Sequence, residues 1–247
     1  MLERALRRDR VLVTAGLAAV IAAAWGYALA GAGLRMGAPS AASLATLSLT
    51  FAMWWVMMAA MMLPAAAPAI LLFATVNRRN GERGHPIAST GVFAAAYIVA
   101  WGGFSVVASL AQVALERSGH LSPTLSTGGA YLGAGLLIAA GVYQMTPLKH
   151  ACLRHCRSPL DFMSRRWRSG GGGAFRMGLE HGAFCLGCCW VLMGLLFYGG
   201  VMSPLWIAGL ALYVLVEKRA PAGHWIGRFG GATLIAWGAA VALRAAI

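Results

Sequence analysis

The stretch Met53-Trp54-Trp55-Val56-Met57-Met58-Ala59-Ala60-Met61-Met62-Leu63-Pro64 lies inside an apolar run over residues 45–73 that carries no charged side chain. That run is longer than the about 20 residues a helix needs to cross the roughly 30 Å hydrocarbon core of a bilayer. Met53, Met57 and Met61 fall four apart, so on a helix advancing about 100° per residue their thioethers share one face. Such a stripe is adaptable packing material as well as a row of soft ligands, and Met57 and Met61 stand as candidate ligands beside that packing role. Pro64 and Pro68 predict an interruption of the helix, freeing carbonyls that a membrane tolerates only where protein or a cavity receives them.

Working outward, further apolar runs cover about residues 11–30, 87–111, 128–145, 175–200, 203–216 and 226–246. The chain is 60% hydrophobic and only 11% charged, far below the roughly 25% charged of an ordinary soluble domain. The expected fold is an all-α polytopic transmembrane bundle of about seven helices, a single integral membrane domain over residues 1–247. The first run is too long for the about 7 to 15 residue core of a signal peptide, so it reads as a retained helix. The sixth is the weakest, and the Gly199-Gly200-Val201-Met202-Ser203-Pro204 reversal before it predicts a helical hairpin over 175–216.

A formal charge of +13 would in a soluble protein point to nucleic acid. Here the basic residues fall in alternate gaps. Arg4, Arg7, Arg8 and Arg10 precede the first run, the next gap has only Arg35, and the following one has Arg78, Arg79 and Arg83. Arg117 stands alone in the third gap, a large cluster including Lys149, Arg154 and Arg157 fills the fourth, the fifth has none, and Lys218 and Arg219 begin the sixth. This alternation is the positive-inside pattern, which places the N-terminus in the cytoplasm and needs no nucleic-acid partner. It also makes residues 146–173 a cytoplasmic basic loop. Its middle, 158–167, reads as either an amphipathic helix with Phe162 and Trp167 inward or a topology-setting loop. Gly170-Gly171-Gly172-Gly173 reads as a flexible hinge.

All cysteines lie between 152 and 189, in two clusters. In the second, His181, Cys185 and Cys188 share a helical stripe, with Met177 and Cys189 on its flanks. Thiolate and thioether ligands select Cu(I), with zinc the main competitor. The alternative is that these cysteines are small apolar residues that pack well. On this geometry His181, Cys185 and Cys188 should act as a unit, and Cys189, some 80° away, should matter less. The first cluster, Cys152, His155 and Cys156, has ligand-like spacing without matching a zinc ribbon. Metal capture and reactive thiols beside Arg154 and Arg157 are both open there. By count of residues, Met57, Met61, Cys185 and Cys188 reach similar depths near the midplane, so neighbouring helices would let thioethers and thiolates surround one ion.

Glu180 lies one turn from Arg176 and is expected to pair with it, and Glu217 reads as a helix-end residue beside Lys218 and Arg219. His85, His120 and His224 carry no signal. Gly129-x-x-x-Gly133 and Gly178-x-x-x-Gly182 predict close helix contacts. Phosphate-loop, nucleophile-elbow and haem-attachment motifs are missing, and seven acidic residues leave little for a carboxylate proton relay.

The Met53–Pro64 segment, the segment Tyr143-Gln144-Met145-Thr146-Pro147-Leu148-Lys149-His150-Ala151-Cys152-Leu153-Arg154-His155-Cys156 and Gly178-Leu179-Glu180-His181-Gly182-Ala183-Phe184-Cys185-Leu186-Gly187-Cys188-Cys189-Trp190 appear in order. Together they resemble a bacterial DUF-type family described as predicted metal-binding integral membrane proteins, over about residues 45–220. Some members of that family are linked to tyrosinase maturation and regarded as copper chaperones. The resemblance implies copper, and nominates Cys152, His155, Cys156, His181, Cys185, Cys188 and Cys189 with the methionines at 57, 58, 61 and 62. The leading expectation is a non-enzymatic inner-membrane protein that binds Cu(I) and delivers or moves it for an apo-cuproenzyme. A membrane thiol-disulfide oxidoreductase using Cys185-Leu186-Gly187-Cys188 and a structural subunit of a membrane complex are the alternatives. His181 and the methionines favour metal, because disulfide exchange needs neither.

Overall fold

The computed structural model describes residues 2–30, 44–79, 86–121 and 129–247. They form α1 (Leu2–Leu29), α2 (Leu44–Arg79), α3 (Pro86–Arg117), α4 (Ala130–Gln144), α5 (Pro147–Arg157), α6 (Pro159–Arg166), α7 (Gly170–Gly194), the short α8 (Leu196–Gly199), α9 (Pro204–Arg219) and α10 (Gly223–Ala246). Each of the seven apolar runs coincides with a helix. Arg35, Arg83 and His85 lie outside the described residues.

Among the described residues, length and apolarity qualify four helical segments to cross a membrane: Leu44–Arg79, Ser89–Arg117, Gly170–Gly199 and Gly223–Ala246. A fifth arises if α4 and α5, bent by 64° at their junction, form one broken span. The 16-residue α9 falls short of the full length. Of the seven expected crossings, helix length and composition among the described residues support four or five.

Two further expectations change. Pro64 and Pro68 sit inside α2, which continues unbroken from Leu44 to Arg79; neighbouring helices can shelter the backbone groups that proline frees. The glycine run is the first turn of α7 and not a loose hinge. Gly170 opens that turn at φ +77°, a conformation only glycine adopts without strain, and a Cβ on Gly173 would stand 2.6 Å from the Arg168 carbonyl oxygen.

Residues 147–166 are not an open loop but two helices, the first of them capped by a side chain. The Thr146 hydroxyl accepts from the Lys149 amide (3.3 Å), with Pro147 in the first turn, the capping chemistry expected of Thr followed by Pro. α6 is amphipathic as its sequence suggests: Phe162 and Met163 are buried, while Asp161 and Arg165 pair at the surface (2.6 Å). Trp167 stacks against Phe73 of α2, with ring centroids 5.4 Å apart.

Small residues set the closest contacts. A Cβ on Gly178 would fall on the Phe93 carbonyl, and one on Gly182 would stand 2.5 Å from Ala100 Cβ, so this glycine pair lets α7 approach α3, as its spacing predicts. In the α4–α10 contact it is Gly141, Gly231 and Gly238 that allow the approach. Gly129 of the other predicted pair meets no described neighbour within 4 Å. The Gly200 turn (φ +95°) and the Ser203 cap reverse the chain into α9, and Trp206 Nε1 donates to the Leu195 carbonyl (2.7 Å) across the hairpin.

Candidate metal centre

α7 carries its cysteines inward on the face that packs against α3 and α5: Cys185 meets Tyr97 of α3 and Cys188 meets Cys156 of α5. Cys185, Cys188 and Cys189 are all buried, and all five cysteines of the chain are free thiols. The Cys188 and Cys189 thiols each donate to the Cys185 carbonyl, at 3.0 and 3.1 Å, a back-bond one turn down their own helix. Cys156 approaches from α5, with its sulfur 3.9 Å from Cys188 Sγ. From α2, Met62 Sδ lies 3.9 Å from Cys189 Sγ. Three helices thus bring sulfur to one place.

Two partners were invisible in the sequence. Lys218, at the end of α9, is buried, with Nζ 2.9 Å from Cys185 Sγ and 3.9 Å from Cys189 Sγ. The Tyr97 hydroxyl of α3 lies 2.9 Å from Cys185 Sγ and donates to the Met62 carbonyl (3.2 Å). An ammonium at low dielectric demands a compensating partner, and the neighbouring sulfurs offer it.

The remaining candidates sit at different distances from this sulfur cluster. His181, one turn before Cys185, is packed among Phe93, Tyr97 and Phe162, with ring centroids 5.5 to 6.1 Å away. Its Nδ1 is buried without a hydrogen-bond partner. His155 stacks flat on Phe184 at 4.2 Å, with its Nδ1 3.0 Å from the Ala151 carbonyl. Cys152, half-buried, packs on Gly187, where a Cβ would lie 2.8 Å from its sulfur. Met57 and Met61 are buried in the core, and Met62, one position on, lies against a thiol. Glu180 pairs with Arg176 as expected (3.3 Å), and also with Arg166 of α6 (3.1 Å).

Glu217 is no loose helix end. It is buried and ion-paired with the equally buried Lys149, which also donates to Gln144. Gln144 in turn donates to the Tyr213 hydroxyl (2.6 Å). Arg157 closes the other end of α5 by donating to the carbonyls of Ala220 and Pro221, at 2.5 and 2.9 Å. These contacts fasten both ends of the helix that carries Cys156 to the end of α9 that carries Lys218.

Among the described residues, no three His, Cys, Asp or Glu side chains already stand in the arrangement that would enclose a metal ion. The sulfurs offer something narrower: thiols in pairs, a thioether, and a fixed cation. Cuprous ion accepts soft ligands at low coordination number, whereas a structural zinc site asks for four ligands.

The model of the PpoB2 family, described as a copper chaperone, matches residues 51–241. That span includes every sulfur of the cluster, Tyr97 and Lys218. No curated protein and no solved structure matches the chain.

Proposed function

The chain belongs to the PpoB2 copper chaperone family, and from that premise we propose that it holds Cu(I) in a membrane and passes it to an apo-cuproenzyme. Family membership points to copper handling and to a non-catalytic role. The holding site we assign is the sulfur cluster of Cys156, Cys185, Cys188 and Cys189 with Met62, and His181 borders it. The observation that carries the assignment is the 3.9 Å separation of the Cys156 and Cys188 sulfurs. A disulfide would need about 2.05 Å. With a metal–sulfur bond of about 2.3 Å, two sulfurs 3.9 Å apart subtend roughly 120° at a shared ion.

Binding there requires the thiols to lose protons, and burial opposes leaving thiolates unpaired. Lys218 Nζ, 2.9 Å from Cys185, offsets part of that charge, and a bound monovalent cation offsets more. Cys152 and His155, half-buried on α5 against Gly187 and Phe184 of α7, serve as an entry point to Cys156. Elemental analysis of the purified full-length protein tests the proposal: copper bound under reducing conditions is expected. Bound zinc alone, or no metal together with a reducible Cys156–Cys188 disulfide, would reject it in favour of zinc binding or thiol exchange.

For orientation we propose a cytoplasmic N-terminus in the bacterial inner membrane, with α5 and α6 near the cytoplasmic side, because the basic residues alternate between gaps. The Arg165 side chain is 78% exposed, which makes it a suitable reporter. An impermeant thiol reagent is expected to label Arg165→Cys above the wild-type background in inverted vesicles and not in intact cells. Labelling in intact cells would reverse the orientation.

A further inference from the structure

The Cys189–Met62 contact is one end of a longer feature. Met62, Met58 and Trp54 follow one another at one-turn intervals on α2, each with 0% exposure. Met61, Met57 and Met53 make a parallel stripe, also buried. At its far end, Trp54 Nε1 donates to Gln112 Oε1 (2.7 Å), and Gln112 Nε2 donates to Glu116 Oε1 (2.8 Å), which is only partly buried near the end of α3. That end of the bundle lies opposite the Arg78–Arg79 end of α2.

The facing side of α3 is polar where packing alone would make it apolar. Ser105 and Ser109 are buried and hydrogen-bonded to the carbonyls one turn back, at 2.9 and 2.6 Å. Trp101 Nε1 is buried without a partner. Buried polar groups inside a helix pair cost free energy unless they are satisfied or used. From the thiols toward Glu116 there are thus two adjacent buried methionine stripes, Met62 and Met58 beside Met61, Met57 and Met53, ending at Trp54 and Gln112, with polar groups beside them.

We infer that the buried α2 face from Met62 to Trp54 is a transfer track, along which Cu(I) passes from thioether to thioether between the sulfur cluster and the Gln112–Glu116 end of the bundle. This deepens the copper-binding reading of the cluster and rests on it. Each step is a ligand exchange: a bond from copper to Cys189 breaks as one to Met62 forms, Met62 gives way to Met58, and the ion then crosses to the parallel stripe, where Met57 and finally Met53 each form a bond as the sulfur before it lets go. Copper remains monovalent and no electron moves. The thiolate charge left behind faces the Lys218 ammonium. One helical turn, about 5.4 Å, separates successive rungs, and two metal–sulfur bonds of about 2.3 Å span at most about 4.6 Å, so the flexible thioethers close the remaining gap of under about 1 Å as the ion passes. The Trp54–Gln112 hydrogen bond closes the far end.

The test uses full-length protein in detergent, loaded with Cu(I) under reductant, with a soluble chromogenic Cu(I) chelator as acceptor. Met57→Leu/Met58→Leu removes a rung from both stripes at nearly constant volume, a change cores tolerate well. Bound copper per protein should be unchanged while the transfer rate falls by about tenfold or more, because the gap between rungs grows to roughly 11 Å. Met163→Leu, a buried methionine on α6, should transfer at the wild-type rate. Undiminished transfer by the double variant, with copper still bound, would overturn the track and leave the holding site standing. Loss of bound copper in that variant would also overturn it, by making Met57 or Met58 a ligand of the holding site. A wild-type protein that binds no copper would sink the holding site itself, and the track with it.

Discussion

Replacing Cys188 by serine is expected to lower Cu(I) affinity by at least about a hundredfold, beyond the roughly 10- to 100-fold that changes outside the first ring of ligands cost. Cys188 lies on α7 with Cys156 of α5 facing it at 3.9 Å, and a serine hydroxyl is a hard donor that cannot replace a thiolate toward a soft ion. Cys156→Ser should lose a comparable amount. The double substitution should add little to either single change, because each removes the same bridge. A Cu(I) competition titration on each variant, with a zinc titration as control, reads these values. Cys189→Ser should also weaken binding, since Cys189 is fully buried between Met62 and Lys218. Unchanged Cu(I) affinity in all three variants would remove the cluster from copper binding, and a Cys156–Cys188 disulfide in the wild type would then place thiol exchange ahead.

The expectation for Cys189 illustrates what one helix can and cannot say about a site. An angular offset of about 80° from His181 suggests a marginal role when α7 is considered alone. Once α2 and α9 pack against it, Met62 and Lys218 reach Cys189 from the other flank. His181 moves the opposite way: it shares the stripe, yet its ring is packed against Phe93, Tyr97 and Phe162, and no hydrogen bond joins it to a sulfur. The methionine ladder was legible as a spacing of four, but which rung meets a thiol was not, because that depends on the relative rotation of α2 and α7.

Hydropathy located the helices well, since each apolar run is long enough to impose helix on its own backbone. It located crossings less well, because α4 and α9, at 15 and 16 residues, are shorter than the length a span requires. Neighbours in sequence do not show which way a charged side chain turns. Glu217, Lys218 and Arg219 look like a solvated helix end. In the fold, Glu217 and Lys218 turn into the bundle toward Lys149 and Cys185, partners 68 and 33 residues away. Local periodicity contains no trace of contacts at that separation. The glycine run failed for a related reason: its composition is that of a linker, but the positive φ at Gly170 and the tight approach at Gly173 use those glycines to start a helix.

The Lys149–Glu217 pair carries the largest expected effect on stability. Both side chains are essentially inaccessible, so removing one partner leaves an uncompensated buried charge, a change that typically costs about 3–5 kcal/mol. Glu217→Leu should therefore lower the unfolding midpoint of the detergent-solubilised protein sharply. Replacing both partners, as in Lys149→Met/Glu217→Leu, should recover most of the loss, because buried ion pairs often contribute little over well-packed apolar residues. Copper binding should separate from stability in these variants. Lys149 lies two turns before Cys156 on α5 and Glu217 directly precedes Lys218 on α9, so the pair sets the position of a thiol and of the cation beside Cys185. The double variant should regain its stability but bind Cu(I) more weakly than the wild type. Wild-type affinity in that variant would mean that Arg157, through Ala220 and Pro221, is enough to hold α5 in place. A single Glu217→Leu that unfolds like the wild type would mean that Lys149 finds another anion or reaches water, and the pair would then have no claim to position the sulfurs.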